Sequence, residues 1–352
     1  MGIESCSTQA GRTGSDVWVK RDLHFDEYMR YYKTATSATL SLDGEEVWGR
    51  EFLHIAEENP YAMRALLSIT SLHFSESDPV NGSKWINCGI KHMNHVLPFY
   101  REALQNVTEE NVEFLYAIAT LLVPFVLKMV KDEMLEVWTT MSSSRVDPEM
   151  IKNIIHMIIK GFRVIRGTVV VLRPGIKWLT TGPMELLCTR YSWPENPMPV
   201  TIQALEDDRK LAELEQLWTY PGGSDKHADI LSDALRELRR SFAIVSNICT
   251  PADEAADPTG YKFTDKCTIF QWPFKVNADF ITLVEQQHTA ALVILAHYAM
   301  IPGVPGRTED TWWLDGFGKN IVCAVALALG EQKYLIEWPA QMVQIDLSTV
   351  PV

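Results

Sequence analysis

Apolar positions in this chain recur mostly at helical spacing. Between Asn59 and His73, Ala62, Leu66, Ile69 and His73 step by four, three and four, one face of a helix. Asn59 is a good cap for it and Pro60 suits the first helical position. Trp85 to Leu104 continues helically with Ile86, Ile90, Met93 and Leu97 on one side, and Pro98 predicts a kink or a new start. Thr108, followed by Glu109, Glu110 and Asn111, predicts a helix start with acids in its first turn. The run from Val112 to Val130 is apolar nearly all round and predicts a central helix.

Ser142–Ser144 reads as a break, and Asp147-Pro148-Glu149 opens a further apolar helix running towards Val171. Within it, Thr168–Leu172 is β-branched and stays open between helix and strand. From Lys226 to Cys249, Leu231, Leu235, Leu238, Phe242 and Val245 form a clean stripe, with Asp229, Asp233, Arg236, Glu237, Arg239 and Arg240 opposite. Core packing is the simpler reading of that stripe. Pro251–Lys266 reads as a surface loop, and Ile301–Gly306 as a turn-rich separator between two helices. No period-two run bounded by hairpin signals stands out. The fold predicted is all-α: an irregular, orthogonal multi-helix bundle with room for an internal apolar pocket. Residues 1–21 read as a flexible N-terminal tail, 22–345 as the helical domain and 346–352 as a C-terminal tail.

Composition agrees with one large core. Of 352 residues 47% are apolar and only 22% are charged. A net charge of −13 argues against autonomous binding to nucleic acid, which calls for clustered Lys and Arg. Cys6, Cys88, Cys188, Cys249, Cys267 and Cys323 lie far apart, so no metal-ligand pairing is expected and free thiols are. The first residues lack an apolar secretory core, and Cys6 stands where a myristoylation pattern wants Ser or Thr. Phe114–Leu127, an uncharged apolar stretch, contains Pro124 and is short for a bilayer. A soluble, intracellular protein without a membrane span is expected.

Chemistry is thinly marked. No nucleotide-binding glycine motif, zinc-protease motif or serine-hydrolase elbow occurs. His92 and His95 could hold half of a metal site, but no acid stands beside them at helical spacing, and neither metal nor cofactor is expected. If the chain is an enzyme, Glu285, His288, His297 and Tyr298 around one apolar helix are the candidates for acid/base work. The acid-free run Lys160, Arg163, Arg166, Arg173 and Lys177 suggests phosphate binding or, more simply, charge partners on neighbouring helices. A surplus of large side chains, among them Phe162, Trp178, Met184, Trp272, Phe274, Phe280, His297, Tyr298, Trp312, Trp313 and Phe317, would suit either a hydrophobic pocket or a filled core.

Four stretches, taken in order, resemble the effector domain of fungal zinc-cluster transcription factors, above all the sterol uptake control group. They are Glu58–His73; Phe99–Leu104 with Glu110-Asn111 and the helix behind; Ile165-Arg166-Gly167 followed by Trp178-Leu179; and Ala290–Ala299 with Trp312-Trp313-Leu314 and Trp338-Pro339. The resemblance covers roughly residues 22 to 340. It implies an all-helical effector domain whose C-terminal helices enclose a hydrophobic ligand, controlling passage into the nucleus and activation. On that likeness Phe162, Trp178, Met184, Trp272, His297, Tyr298, Trp312 and Trp313 would bind the ligand, with a Trp312-Trp313 helix as gate. The family's cysteine-rich zinc cluster, basic linker and coiled coil have no counterpart here, so DNA would be reached only through a partner or a zinc cluster encoded upstream. The resemblance implies a regulator of RNA polymerase II transcription, nuclear or shuttling from the cytoplasm. It would control sterol or secondary-metabolite genes, as a homodimer or with another regulator. The alternative is a cyclase- or isomerase-type enzyme of secondary metabolism built on the same fold.

Overall fold

The computed structural model describes residues 25–40, 44–140, 147–185, 187, 197–220, 223–248, 250–251, 261–262, 266–308 and 311–351. Among these, thirteen α-helices alternate with short 3-10 and π turns: α1 Phe25–Tyr31, α2 Phe52–Glu58, α3 Pro60–Ser77, α4 Gly82–Ala103, α5 Val112–Thr140, α6 Pro148–Leu179, α7 Ile202–Glu213, α8 Ala228–Ile248, α9 Gln271–Lys275, α10 Ala278–Glu285, α11 Thr289–Gly303, α12 Phe317–Leu329 and α13 Glu337–Met342. The only strands in the described residues are four of two residues each. Thr219–Tyr220 pairs with Gly223–Ser224, and Thr250–Pro251 with Tyr261–Lys262, both antiparallel. The fold is all-α. The second pair closes the ends of the expected 251–266 loop, most of which lies outside the described residues, as does the Ser142–Ser144 break.

Local chemistry explains most helix starts. Asn59 accepts from the backbone N–H of Tyr61 and Ala62, with Pro60 first in α3. Asp147 caps α6 through Glu149 N at 3.0 Å. The expected start at Thr108 is corrected: the Asn111 amide oxygen takes the Thr108 N–H at 2.8 Å, so Glu109 and Glu110 form a turn and α5 begins at Val112. Prolines interrupt less than expected. Helix α4 runs unbroken through Pro98, whose exposed position lets water serve the carbonyl that loses its partner. Helix α6 takes in Thr168–Leu172 and runs past Val171 through Pro174 to Leu179. Helix α11 runs beyond Ile301 and ends only at Gly303, where the buried Arg307 donates to the Met300 and Ile301 carbonyls.

Two layers of packing position the rest. Helix α3 packs between α4 and α5, α5 packs in turn on α6, and α4 approaches α3 closely at Gly89, whose carbonyl accepts from Ser68 at 2.8 Å. Helix α5 is long and apolar enough to cross a membrane by length and composition, Pro124 notwithstanding, yet 61% of its apolar window is buried inside the body. The second layer is built round α11, in which every residue from Ala290 to Pro302 is buried. It packs on α8, α10, α12 and α13. The α8 stripe enters this core with Leu231, Leu235, Leu238 and Val245 buried and Phe242 half-buried. One contiguous cluster of buried residues reaches from Tyr28 to Val343. The expected tail 1–21 lies outside the described residues. At the other end, Leu347–Thr349 forms a 3-10 turn and Val350 O accepts from the Lys333 ammonium at 2.6 Å.

Candidate functional site

The aromatic residues expected around a pocket meet each other. Phe162 from α6, Trp272 from α9, Phe280 from α10 and Tyr298 from α11 form one cluster. Trp272 stacks on Tyr298 at 4.8 Å between centroids, and Phe162 meets both rings edge-on at 5.9 and 5.4 Å. All four are fully buried, and their polar ends are satisfied: the Trp272 indole donates to Ala234 O at 2.9 Å and the Tyr298 hydroxyl to Ile269 O at 3.1 Å. Burial holds the Tyr298 phenol far above its ordinary pKa, so it stays protonated.

The remaining expected ligand residues lie elsewhere. Trp312 and Trp313 belong to a turn ahead of α12, not to a helix as expected, because the chain from Thr311 closes short bonds of the Leu314-to-Thr311 kind instead of a helical ladder. Trp312 stacks on His73 at 4.9 Å and donates to Thr39 Oγ1; Trp313 donates to Thr39 O and stacks on Phe270. Trp178 is half-buried with the Lys177 ammonium 4.0 Å from its ring centre. Met184 is buried, and its N–H donates to Glu113 Oε2 at 3.2 Å. A small, partly open cavity of about 30 Å³ lies between α7, α8 and α11, lined by Asp207, Phe242, Met300, Arg307 and neighbours, and by none of these eight residues. It would house about one water molecule. An open groove of about 470 Å³ runs between α5 and α6 at Val137, Met150, His156 and Lys160.

The four expected acid/base residues do not converge. His297 is buried, its Nδ1–H donates to Val293 O at 2.7 Å, and burial lowers its pKa to about 4, so the ring is neutral near pH 7. His288 caps α11 nine residues earlier, about 13 Å of helical rise away. Its Nε2 lies 3.3 Å from Asp225 Oδ2, a carboxylate kept below its ordinary pKa by the His227 backbone N–H and the His288 ring. Gln287, just before, has a left-handed backbone with φ 55°. Glu285 pairs with Arg163 of α6. The His288–Asp225 pair is the arrangement an oriented general base would use. Its other nitrogen, Nδ1, is buried and makes no hydrogen bond among the described residues.

Two polar groups escaped the sequence reading. Lys128 on α5, with its side chain 3% exposed, bridges Glu76 of α3 at 2.8 Å and Asp132 one turn on. Beside it, Lys131 donates to Trp312 O, and Glu76 lies near His73, which accepts or donates at Thr36 Oγ1 over 3.0 Å. Burial lowers His73 to about 4. This network ties α3, α5 and the Trp312 turn together. A lysine in an apolar helix, with a carboxylate four residues on, was the available signal. The second is Glu113 in the first turn of α5, which burial raises to about 7 against the bond it takes from Met184. Its ionised form is disfavoured in the fold, so stability falls as pH rises from about 4.5 through 7. Glu113→Gln is expected to stabilise by roughly 1–2 kcal/mol at pH 8, discounted for partial exposure, and to change nothing near pH 4. Urea unfolding at both pH values checks this; equal effects at the two would show that ionisation is not the cause.

Cys88 and Cys323 are free thiols, and burial pushes Cys323 up to about 11, so it is no ready nucleophile. No group of three or more metal-ligating side chains that could hold an ion occurs among the described residues. Neither a protein-family model, nor a curated protein, nor a solved structure matches the chain.

Proposed function

We propose that the protein is a non-catalytic regulator of transcription, of the fungal zinc-cluster type in its effector domain, that works in the nucleus by binding another protein. The observation that carries this reading is the state of the side chains with chemical promise. His297 and Tyr298 are bonded to backbone carbonyls inside the core, Glu285 is paired with Arg163, and the aromatic residues fill the interior themselves. The stretches that resemble that family also fall on helices α3, α5, α6 and α11, which form the centre of the packing. Sensing of a hydrophobic metabolite would require the Phe162, Trp272, Phe280 and Tyr298 cluster to part, so the partner carries the signal in this reading. Sterol or secondary-metabolite genes are the targets suggested by the same resemblance.

A second reading, an isomerase- or cyclase-type enzyme, is favoured by the His288–Asp225 contact and the strained Gln287 beside it. One experiment separates the two. Deletion of the gene in its source organism, followed by transcript and metabolite profiling, is expected to lower a coordinated set of transcripts. Unchanged transcripts with one accumulating intermediate, reproduced by His288→Ala alone, would overturn the regulator.

A further inference from the structure

Helix α6 has one long face that nothing among the described residues covers. Its inner side packs on α5, α9, α10 and α12. On the outer side Lys160, Arg163, Val170, Arg173 and Lys177 are exposed, Val170 to 59%. At 100° per residue these five fall within an arc of about 140°, along about 25 Å of helix. No acidic residue occurs between Glu149 and Glu185, in a chain whose net charge is −13. Arg163 shares its charge with Glu285, and Lys177 lies over Trp178. Lys160 and Arg173 form no ion pair among the described residues. Five side chains at this spacing make a basic ridge with an apolar centre on an otherwise acidic protein.

We infer that this face of α6 docks an acidic amphipathic helix of a partner protein, whose carboxylates meet Lys160, Arg163, Arg173 and Lys177 while an apolar side chain covers Val170. The complement is fixed by charge and by shape. A continuous helical ridge accepts another helix laid along it, and apolar contact flanked by opposite charges sets the register. A nucleic acid backbone would leave Val170 uncovered, and three or so unshared cations give a salt slope of only about −3, too little to hold duplex DNA against the charge of the whole chain. A lipid surface is a poorer match, because the face offers a single valine where interfacial helices insert Trp, Phe or Leu.

The inference rests on the regulator reading only in that the partner is a protein. It is tested on the full chain with a capped synthetic peptide of about 18 residues made of Glu, Leu and Ala, with Leu on one helical face and Glu flanking it. Fluorescence anisotropy is expected to show saturable binding that weakens as salt is raised from about 0.05 M to about 0.3 M. The variant Lys160→Glu/Arg173→Glu/Lys177→Glu, all surface changes, should keep its helicity and melting temperature and bind at least about tenfold more weakly. A peptide of the same composition with Leu scattered round the helix should also lose about tenfold. Equal binding by the variant, or by the scattered peptide, overturns the inference. So does duplex DNA, or a vesicle of phosphatidylcholine and phosphatidylserine, that binds more tightly than the peptide and loses that binding in the variant. Peptide binding that behaves as described, alongside unchanged transcripts in the deletion strain, leaves the docking face standing and removes only the transcriptional role.

Discussion

Gly318→Ala is expected to cost about 3 kcal/mol or more and to abolish most soluble protein. A methyl group at this position would overlap Gly303 Cα and stand 2.5 Å from both Ala299 O and Gly303 N. Every one of those atoms is backbone of α11, so no rotamer change relieves the clash. The helix as a whole has to retreat by about an ångström, and α11 is buried along its full length against four other helices. Overpacking in a close-packed interior typically costs 1–3 kcal/mol where side chains can adjust, and more where only backbone can move. Gly303 faces the same crossing, and a methyl group built there would stand 3.0 Å from Gly318 Cα, so the contact is made by two glycines jointly. Gly167 is the control: it lies inside α6 with nothing within 4 Å of a built methyl group. There alanine should be neutral or stabilise by up to about 1 kcal/mol through helix propensity. Urea midpoints of the two variants give the comparison, and similar values for both would refute close backbone contact at the α11–α12 crossing.

That crossing also marks where sequence reading stopped. Helices whose starts depend on residues a few positions apart were legible, as at Asn59-Pro60 and Asp147-Pro148. The helix start lies beyond Thr108 because a separate turn precedes it, with the Thr108 N–H on Asn111 Oδ1 and the Val112 N–H on Thr108 O, and residue spacing alone does not show where that turn gives way to helix. The apolar character of α5 and α11 announced central helices. Yet a helix that is apolar all round carries no information about which neighbour it touches at which side, so the Gly303–Gly318 contact had no signature. His297 shows the same limit from the chemical side. An imidazole in an apolar helix reads as a catalytic group or, more simply, as a core residue, and the structure places it in the core with its Nδ1–H on Val293 O of its own helix.

Long-range pairings were invisible for a different reason. Glu113 meets Met184 across 71 positions, and Lys131 meets Trp312 across 181. Neither contact belongs to a motif with fixed spacing, and each depends on how whole helices are placed. The basic run on α6 was legible as a run. That Arg163 and Arg166 turn partly inward, to Glu285 and to the Pro273 and Val276 carbonyls, while Lys160 and Arg173 remain outside, follows only from the packing of α9 and α10. The same division leaves a ridge of charge for a partner instead of a phosphate pocket.

Trp272→Ala should destabilise by roughly 3–5 kcal/mol, the range for deleting a large aromatic from a close-packed core. The indole is fully buried, stacks on Tyr298, meets Phe162 and Phe280 edge-on, and donates to Ala234 O, so its removal loses the ring contacts and one buried hydrogen bond. The magnitude bears on function. If these rings are the permanent filling of the core, the whole cost appears in the urea midpoint, and the variant gains affinity for a small apolar probe such as benzene, as an emptied core site does. If the cluster instead parts routinely to admit a hydrophobic metabolite, part of the contact energy is already forfeited in the native ensemble and the loss falls below about 1 kcal/mol. A small loss would return the ligand-sensing arm of the regulator reading to first place and set aside the partner-driven one. A loss in the expected range leaves the signal with surface contacts, because an interior held shut by several kcal/mol is opened only by a ligand whose affinity exceeds that amount.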